Sequence, residues 1–188
     1  MESNQTHYFI GIKLSDEAKQ ELARVNIDLR ENRFFKKWVN PLDYHITLAF
    51  LGNAKKDQLA KLQELLEESD LSKEEFSLHI EHFGTFGNKQ SPRIFWAGLK
   101  EESSLMVLRN NVYQLCGLAG FTLETRPFHP HITVARKWIR EEPFTTSIIE
   151  EGINLAQPIT FKVTGIELFQ THLDRDPKYE IIKSFSFY

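Results

Sequence analysis

The spacing of apolar residues changes from extended to helical and back several times along the chain. Residues 8–14 form a short apolar run typical of a buried strand, and Ser15 behind them is a suitable N-cap for a helix. Apolar residues three or four apart then predict three helices: the first buries Ala18, Leu22, Val25 and Leu29, the second covers residues 59–66, and the third buries Leu105, Leu108, Val112, Leu115 and Leu118. A short fourth helix is expected at residues 144–151.

Extended segments separate these helices. After the first strand, the predicted strands are residues 44–51, 76–80, 93–99, 131–135, 159–169 and 179–187. Gly84 and Gly87 predict a turn between the third and fourth strands. Neighbouring strand pairs mixed with helices favour an α+β fold over a doubly wound parallel sheet. Because the order partly repeats, we expect one bilobal domain over residues 1–188, in which two pseudo-symmetric lobes, each a mostly antiparallel sheet flanked by helices, enclose a central cleft.

Composition narrows the range of partners. The 188 residues include 23 basic and 26 acidic side chains, a net charge of −3, which argues against binding nucleic acid through bulk positive charge. A local basic rim is compatible with this charge, and Arg93, Arg126 and Arg136 are its candidates. Lys137 is interpreted as solvated charge.

Cysteine usage and the N-terminus indicate the compartment. Cys116 is the only cysteine, so the sequence allows neither an internal disulfide nor a cysteine-based metal cluster, which fits a reducing compartment. The chain shows no signal-peptide pattern and no apolar stretch of membrane-spanning length, so we expect a cytoplasmic monomer without membrane contact. His129 and His131 have the spacing of zinc ligands, but further ligands at a suitable spacing are missing, so we predict no metal and no cofactor.

Two similar tetrapeptides carry the candidate chemistry. His45 begins the sequence His-Ile-Thr-Leu, and His131 begins the sequence His-Ile-Thr-Val 86 residues later, both within predicted strands. Since residues two apart on a strand share a face, each motif presents its His and Thr together and turns its aliphatic residues to the core. One copy alone is more simply a strand histidine bonded to a backbone carbonyl. Two copies are difficult to explain by core packing.

Two imidazoles and two hydroxyls around one cleft suit phosphodiester cleavage without a metal. A neutral histidine takes a proton from the attacking water, and a protonated histidine gives one to the leaving oxygen. The ordinary pKa of histidine, ~6.5, suits both roles. Thr47 and Thr133 are expected to donate hydrogen bonds to the non-bridging phosphate oxygens, and Arg136 is a candidate third donor.

These motifs closely resemble those of the 2H phosphoesterase superfamily. Within it, the similarity is to the bacterial and archaeal RNA 2′,3′-cyclic phosphodiesterases, also called 2′-5′ RNA ligases. It rests on the extended segments 45–52 (HITLAFLG) and 126–136 (RPFHPHITVAR), on the opening strand, and on the strand at 93–99. The resemblance covers essentially the whole chain.

The resemblance implies an enzyme that opens a terminal 2′,3′-cyclic phosphate on RNA to leave a 2′-phosphate. By motif position, His45 would be the proton donor to the leaving 3′ oxygen and His131 the proton acceptor that activates water. Thr47 and Thr133 would bind the phosphate. A second implied activity joins RNA ends through a 2′-5′ bond without a nucleotide cofactor.

Two alternatives stay open at this point. The same site would serve a different substrate, such as a 2′-5′ oligoadenylate or another small cyclic nucleotide phosphate. A binding module that holds RNA ends without turnover is the third possibility, although such a module would normally have lost one of the two motifs. Base stacking on Phe9, Phe50, Trp96 or Phe128 is a weaker prediction, because most of the 15 phenylalanines are expected in the core.

Overall fold

The computed structural model describes residues 6–69, 71, 74–153 and 155–187. In these residues strands alternate with helices along the chain, and the strands form two sheets, one in each half of the molecule. The strands are β1 (His7–Lys13), β2 (Phe35–Trp38), β3 (His45–Asn53), β4 (Phe76–Gly87), β5 (Pro92–Leu99), β6 (His131–Trp138), β7 (Ile159–Val163), β8 (Gly165–Thr171) and β9 (Tyr179–Ser186). The α-helices are α1 (Asp16–Val25), α2 (Ile27–Glu31), α3 (Lys56–Glu68), α4 (Ser103–Leu118) and α5 (Thr146–Gly152), and a 3₁₀ turn (Pro41–Asp43) precedes β3.

The strands form two antiparallel sheets that correspond almost strand for strand. The four-stranded sheet has the order β3-β1-β8-β9, and the five-stranded sheet has the order β2-β6-β5-β4-β7. Apart from the additional edge strand β2, β3 corresponds to β6, β1 to β5, β8 to β4 and β9 to β7. The α+β architecture with two sheets flanked by helices, expected from the sequence, is confirmed.

Local sequence explains most of the helices. Ser15 accepts a hydrogen bond from the backbone nitrogen of Ala18 at 3.2 Å, as predicted for the N-cap of α1. The first helix, however, does not run unbroken to Leu29. Asn26 separates α1 from α2, and its side-chain nitrogen bonds the carbonyl of Leu22 at 2.7 Å. In α4, Cys116 is buried, whereas Leu118 is 62% exposed, so its predicted place on the buried face is wrong.

Three strand predictions need correction. Gly84 lies inside β4 rather than in a turn, because the ring of Trp96 on β5 lies over it and a Cβ there would be 2.4 Å from that ring. The apolar alternation at residues 159–169 belongs to two strands in different sheets, β7 pairing with β4 and β8 with β1 and β9. Strand β2 lies between the first helix and the second predicted strand, where no strand was predicted, and it pairs with β6.

A continuous apolar core joins the two halves. It contains fully buried side chains from both sheets, among them Ile10, Ile46, Phe95 and Ile132. Helix α4 packs on β3 and α3, and α1 packs on β7, so helices from one half of the chain cover strands of the other. Within the part of the chain that the structure describes, no helix is long and apolar enough to cross a membrane.

Candidate active site

The two His-Thr motifs lie on β3 and β6 and line a common cleft. Its cavity, about 220 Å³, is lined by both motif histidines and both threonines. Arg136 lines the same cavity, so all five residues predicted for the site meet there. Residues missed by the sequence analysis also line it, and these are Val39, Ile94, Thr171 and Tyr179.

The two imidazoles are held in the same way. Nδ1 of His45 lies 2.7 Å from the carbonyl oxygen of Asp43, and Nδ1 of His131 lies 2.8 Å from the carbonyl oxygen of His129. In each case the carbonyl belongs to the residue two positions earlier, and because a carbonyl oxygen only accepts hydrogen bonds, Nδ1 must carry the hydrogen that is donated to it. The neutral rings therefore keep their Nε2 atoms as acceptors. A histidine bonded to a backbone carbonyl was the simpler interpretation of a single motif. In the structure both histidines make such a bond, and it fixes the orientation of both rings in the cleft.

Nε2 of His45 has a neighbour within its own motif. The hydroxyl oxygen of Thr47 lies 3.1 Å from this atom. Because Nδ1 of His45 donates to a carbonyl, Nε2 of the neutral ring accepts from the threonine hydroxyl. A bound anion that accepts a hydrogen bond from Thr47 would draw this hydroxyl away and release Nε2 for proton transfer.

Aromatic rings enclose both histidines, but to different degrees. The ring of His45 lies 4.7 Å from Phe9 and 4.8 Å from Tyr179, measured between centroids, and Phe169 adds a third contact at 5.7 Å. The ring of His131 lies 5.0 Å from Phe86 and 6.3 Å from Trp96. The first histidine is therefore the more tightly packed.

Burial and charge lower the pKa of both histidines. Desolvation is the main cause for His45, and together with the nearby charges of His131 and Arg136 it brings the pKa to about 4 despite the hydrogen bond to Asp43. The pKa of His131 is lowered by burial first, and then by the nearby His129 and Arg136. Arg136 contributes to the lowered pKa of both imidazoles, as expected for a cation that lines the same cleft.

A bulge in each motif strand determines which later residue reaches the cleft. On β6, Thr133 pairs with Trp96 and Ala135 with Phe95, so Val134 is an extra residue between them. The extra residue returns Arg136 to the face that carries His131 and Thr133, whereas strict alternation would turn it to the core. The proximity of Arg136 to the motif was used to predict it, but the bulge is what brings it there.

The same irregularity occurs on β3. Thr47 pairs with Gly11 and Ala49 with Ile10, which leaves Leu48 as the extra residue. Phe50 then occupies the register position that Arg136 has on β6, and it lines the cleft with 54% of its surface exposed. Of the four residues considered for base stacking, Phe9 and Phe50 line this cleft.

Asp43 ties the first motif to the β8–β9 loop. Its carboxylate, buried to 5% exposure, accepts hydrogen bonds from the backbone nitrogens of Lys178 at 2.8 Å and Tyr179 at 3.1 Å. Its carbonyl oxygen is the one that holds His45. One residue thus fixes both the imidazole and the tyrosine packed against it. Sequence reasoning missed Asp43, because its partners are 135 and 136 residues away.

The other basic residues and the other histidine considered in the sequence analysis lie in different places. Arg93 and Lys137 lie beside Arg136, whereas Arg126 is paired with Glu124 on another surface. His129 is exposed, and its ring lies 4.9 Å from Trp96 and 5.3 Å from Phe86. Among the described residues no group of three or more His, Cys, Asp or Glu side chains is arranged to hold a metal ion.

Comparisons with known proteins extend the picture beyond the cleft. The family described as the 2′-5′ RNA ligase superfamily matches residues 14–175. A protein named RNA 2′,3′-cyclic phosphodiesterase from Geobacillus stearothermophilus is 43% identical over 181 residues, which are 96% of this chain and 57% of that protein. A protein of the same name from Bacillus subtilis strain 168 is 37% identical over 183 residues, 95% of each. The apo crystal structure of E. coli LigT has the same fold, with a TM-score of 0.79 at 21% identity, over 98% of this chain and 99% of that one.

Proposed function

The chain belongs to the 2′-5′ RNA ligase superfamily, and we propose that it is an RNA 2′,3′-cyclic phosphodiesterase that hydrolyses a terminal cyclic phosphate to a 2′-phosphate. The observation that carries the proposal is the pair of His-Thr motifs facing one cleft, with both histidines held through Nδ1. Relatives at 43% and 37% identity bear the name of this activity.

In the proposed mechanism each proton has a side chain to carry it. Nε2 of His131 takes a proton from water as the water oxygen bonds to phosphorus. The bond between phosphorus and the 3′ oxygen breaks, and protonated His45 donates its Nε2 proton to that oxygen. The products are a 2′-phosphate and a 3′-hydroxyl.

Three further groups stabilise the charge that develops on the non-bridging oxygens. Thr47 and Thr133 donate hydrogen bonds from their hydroxyls, and Arg136 supplies a fixed positive charge that also donates hydrogen bonds. Thr133 and Arg136 line the cleft before the substrate arrives, whereas the Thr47 hydroxyl turns from Nε2 of His45 to the phosphate oxygen on binding.

The proposed roles require His45 to be protonated when the substrate is bound. With its pKa at about 4, His45 is almost entirely neutral at pH 7 in the free protein. A cyclic phosphate carries one negative charge, and that charge beside the ring favours the imidazolium. The proposal therefore requires that substrate binding raises the pKa of His45. Since one ring must be neutral and the other protonated, activity should follow a bell-shaped pH profile.

The test is hydrolysis of an RNA oligonucleotide ending in a 2′,3′-cyclic phosphate, with EDTA present throughout. We expect a 2′-phosphate product, identified by phosphorus NMR, at a rate insensitive to the chelator. A 3′-phosphate product would keep the site and overturn the assignment of the leaving oxygen. Activity that EDTA abolishes and zinc restores would contradict metal-independent catalysis.

The sequence also predicts a second activity and an alternative substrate, and each has its own test. Joining of RNA ends through a 2′-5′ bond is a second activity suggested by the family description, and an RNA with a free 5′-hydroxyl end tests it beside hydrolysis. Turnover of 2′-5′ oligoadenylate in place of the cyclic end would favour the alternative substrate. A cytoplasmic location, a monomeric state and a single domain over residues 1–188 stay predictions.

A further inference from the structure

A groove next to the catalytic cleft contains four cationic side chains. Lys37 on β2, Arg93 on β5, and Arg136 and Lys137 on β6 line this basic groove, whose volume is about 540 Å³. In the sheet, Arg136 pairs with Lys37 on one side and with Ile94 on the other, so the cations come from three adjacent strands. Arg136 and Ile94 also line the catalytic cleft, so the groove and the cleft adjoin at these two residues.

Within the described residues, no acidic side chain pairs with the cations of the basic groove. All four cationic residues are exposed, and among the described residues none of them forms an ion pair. No described Asp or Glu lines the groove. In a chain with a net charge of −3, such a local excess of positive charge requires an explanation other than overall composition.

The backbone of β6 is adapted to this arrangement. Lys137 has a φ of +65°, in the left-handed region where a residue other than glycine is strained by about 1–3 kcal/mol. Consecutive residues of a regular strand point to opposite faces, yet Arg136 and Lys137 line the same groove. The strained residue breaks the alternation and keeps both cations together, which argues against Lys137 as merely solvated charge.

We infer that the basic groove binds the phosphodiester backbone of the nucleotides that precede the terminal cyclic phosphate. The inference rests on the proposed function for the position of the RNA end, and it adds the path of the rest of the strand. Lysine and arginine bind backbone phosphates without reading sequence, and each contact contributes to a salt-dependent affinity. A strand whose cyclic end occupies the catalytic cleft would pass Arg136 and enter the groove directly.

The test compares substrates of different length. Cytidine 2′,3′-cyclic phosphate reaches only the cleft, whereas an octanucleotide with the same 3′ end also reaches the basic groove. We expect Lys37→Ala, Arg93→Ala and Lys137→Ala each to lower kcat/KM for the octanucleotide by roughly twofold to fivefold, mainly through KM. The triple variant should lose roughly 10- to 100-fold, and its salt slope should fall by about 2. Activity on the mononucleotide should stay unchanged in all of them.

Lys36→Ala is the matched control. Lys36 is the exposed neighbour of Lys37 on β2, and it does not line the basic groove. Its substitution removes the same charge from the chain and should leave both substrates unaffected. Equal losses on the mononucleotide and the octanucleotide, or equal losses in Lys36→Ala and Lys37→Ala, would overturn the inference.

A binding measurement separates this inference from the proposed function. Fluorescence anisotropy with a 5′-labelled octanucleotide ending in a 2′-phosphate needs no turnover. Weaker, less salt-dependent binding in the triple variant, with Lys36→Ala like wild type, would support the groove even if no cyclic phosphate were hydrolysed. Unchanged binding in the triple variant would overturn it even if the enzyme were active.

Discussion

The two halves of the cleft share one strand register and differ in the residues around it. In both, a histidine is held by the carbonyl two residues earlier, and an extra residue follows the threonine. The second residue after the bulge is Phe50 on β3 and Arg136 on β6. The residue whose carbonyl holds the ring is the buried Asp43 in one half and the exposed His129 in the other.

This difference shows how a repeated scaffold can provide two chemical roles. The shared register positions two imidazoles alike, and their surroundings then make them unequal. His45 is packed by three aromatic rings and by the loop that Asp43 holds, whereas His131 is packed by two, Phe86 and Trp96. In the free protein the surroundings of His45 bring its pKa to about 4. Under the proposed mechanism, the bound phosphate rather than the protein alone makes His45 the acid.

The largest expected effect comes from removing either histidine. His45→Ala and His131→Ala should each reduce kcat on a cyclic-phosphate oligonucleotide by roughly 10²–10⁴-fold, the usual contribution of one acid or base. Because the two groups act in one step, the double variant should lose less than the product of the single losses. Rates measured with excess enzyme give all three values. If one histidine proved dispensable, the two halves would not share one reaction.

The next effect tests the position after the bulge. Arg136→Ala should lower kcat/KM by roughly 10²-fold, because a charged donor to the developing negative charge is lost. Phe50→Ala, its counterpart on β3, carries no charge and should cost less than tenfold. Steady-state kinetics on one substrate compare the two variants. Similar losses from both would show that this position serves packing rather than charge.

A smaller effect is expected from weakening the hydrogen bonds by which Asp43 holds the β8–β9 loop. Asp43→Asn keeps the carbonyl that orients His45, but the amide replaces one of the two oxygens that accept from Lys178 and Tyr179. A displaced Tyr179 ring would expose His45, so we expect kcat to fall roughly tenfold while the histidine pKa rises.

Proton NMR titration measures the pKa of His45 directly. A general loss of stability would not change this pKa, whereas a displaced Tyr179 ring would. His129→Ala is the control, because its backbone carbonyl survives to hold His131 and its ring contacts Trp96 and Phe86 rather than His45, so the pKa of His45 should not change. An unchanged His45 pKa in Asp43→Asn would contradict the coupling between loop and imidazole.

The smallest effect concerns stability. The folded-state pKa of His45 is about 4, below the ordinary 6.5, so the unfolded chain binds the proton more tightly between these values. Stability therefore falls as the pH drops below about 6.5, by about 2 kcal/mol from His45 alone between pH 7.5 and 5. Urea denaturation of wild type and His45→Gln at both pH values measures this. An identical pH dependence in the two proteins would contradict the lowered pKa.

The sequence predicted those features that depend on the residue spacing within one segment. The spacing of Ala18, Leu22 and Val25 predicted α1, and His-Ile-Thr alternation predicted which residues of β3 and β6 face the cleft. Both are consequences of helical and strand periodicity, which a single segment expresses. The repeat of the motif predicted that the two segments meet.

Features set by distant partners were not predictable in this way. Strand β2 exists because β6 offers it an edge, and Gly84 stays in β4 because Trp96 covers it. The crossing from β7 to β8 is hidden by continuous alternation through residues 159–169. Asp43 looks like an ordinary turn residue until the β8–β9 loop is folded against it.

The most direct test of the central claim, that the two halves divide acid and base roles, uses a changed leaving atom. In a cyclic substrate whose 3′ bridging oxygen is replaced by sulfur, the leaving thiolate needs little protonation. We predict that His45→Ala, which loses roughly 10²–10⁴-fold on the oxygen substrate, recovers to within about tenfold of wild type on the sulfur substrate, whereas His131→Ala stays fully impaired. Recovery in His131→Ala and none in His45→Ala would reverse the roles, and recovery in neither would contradict the account.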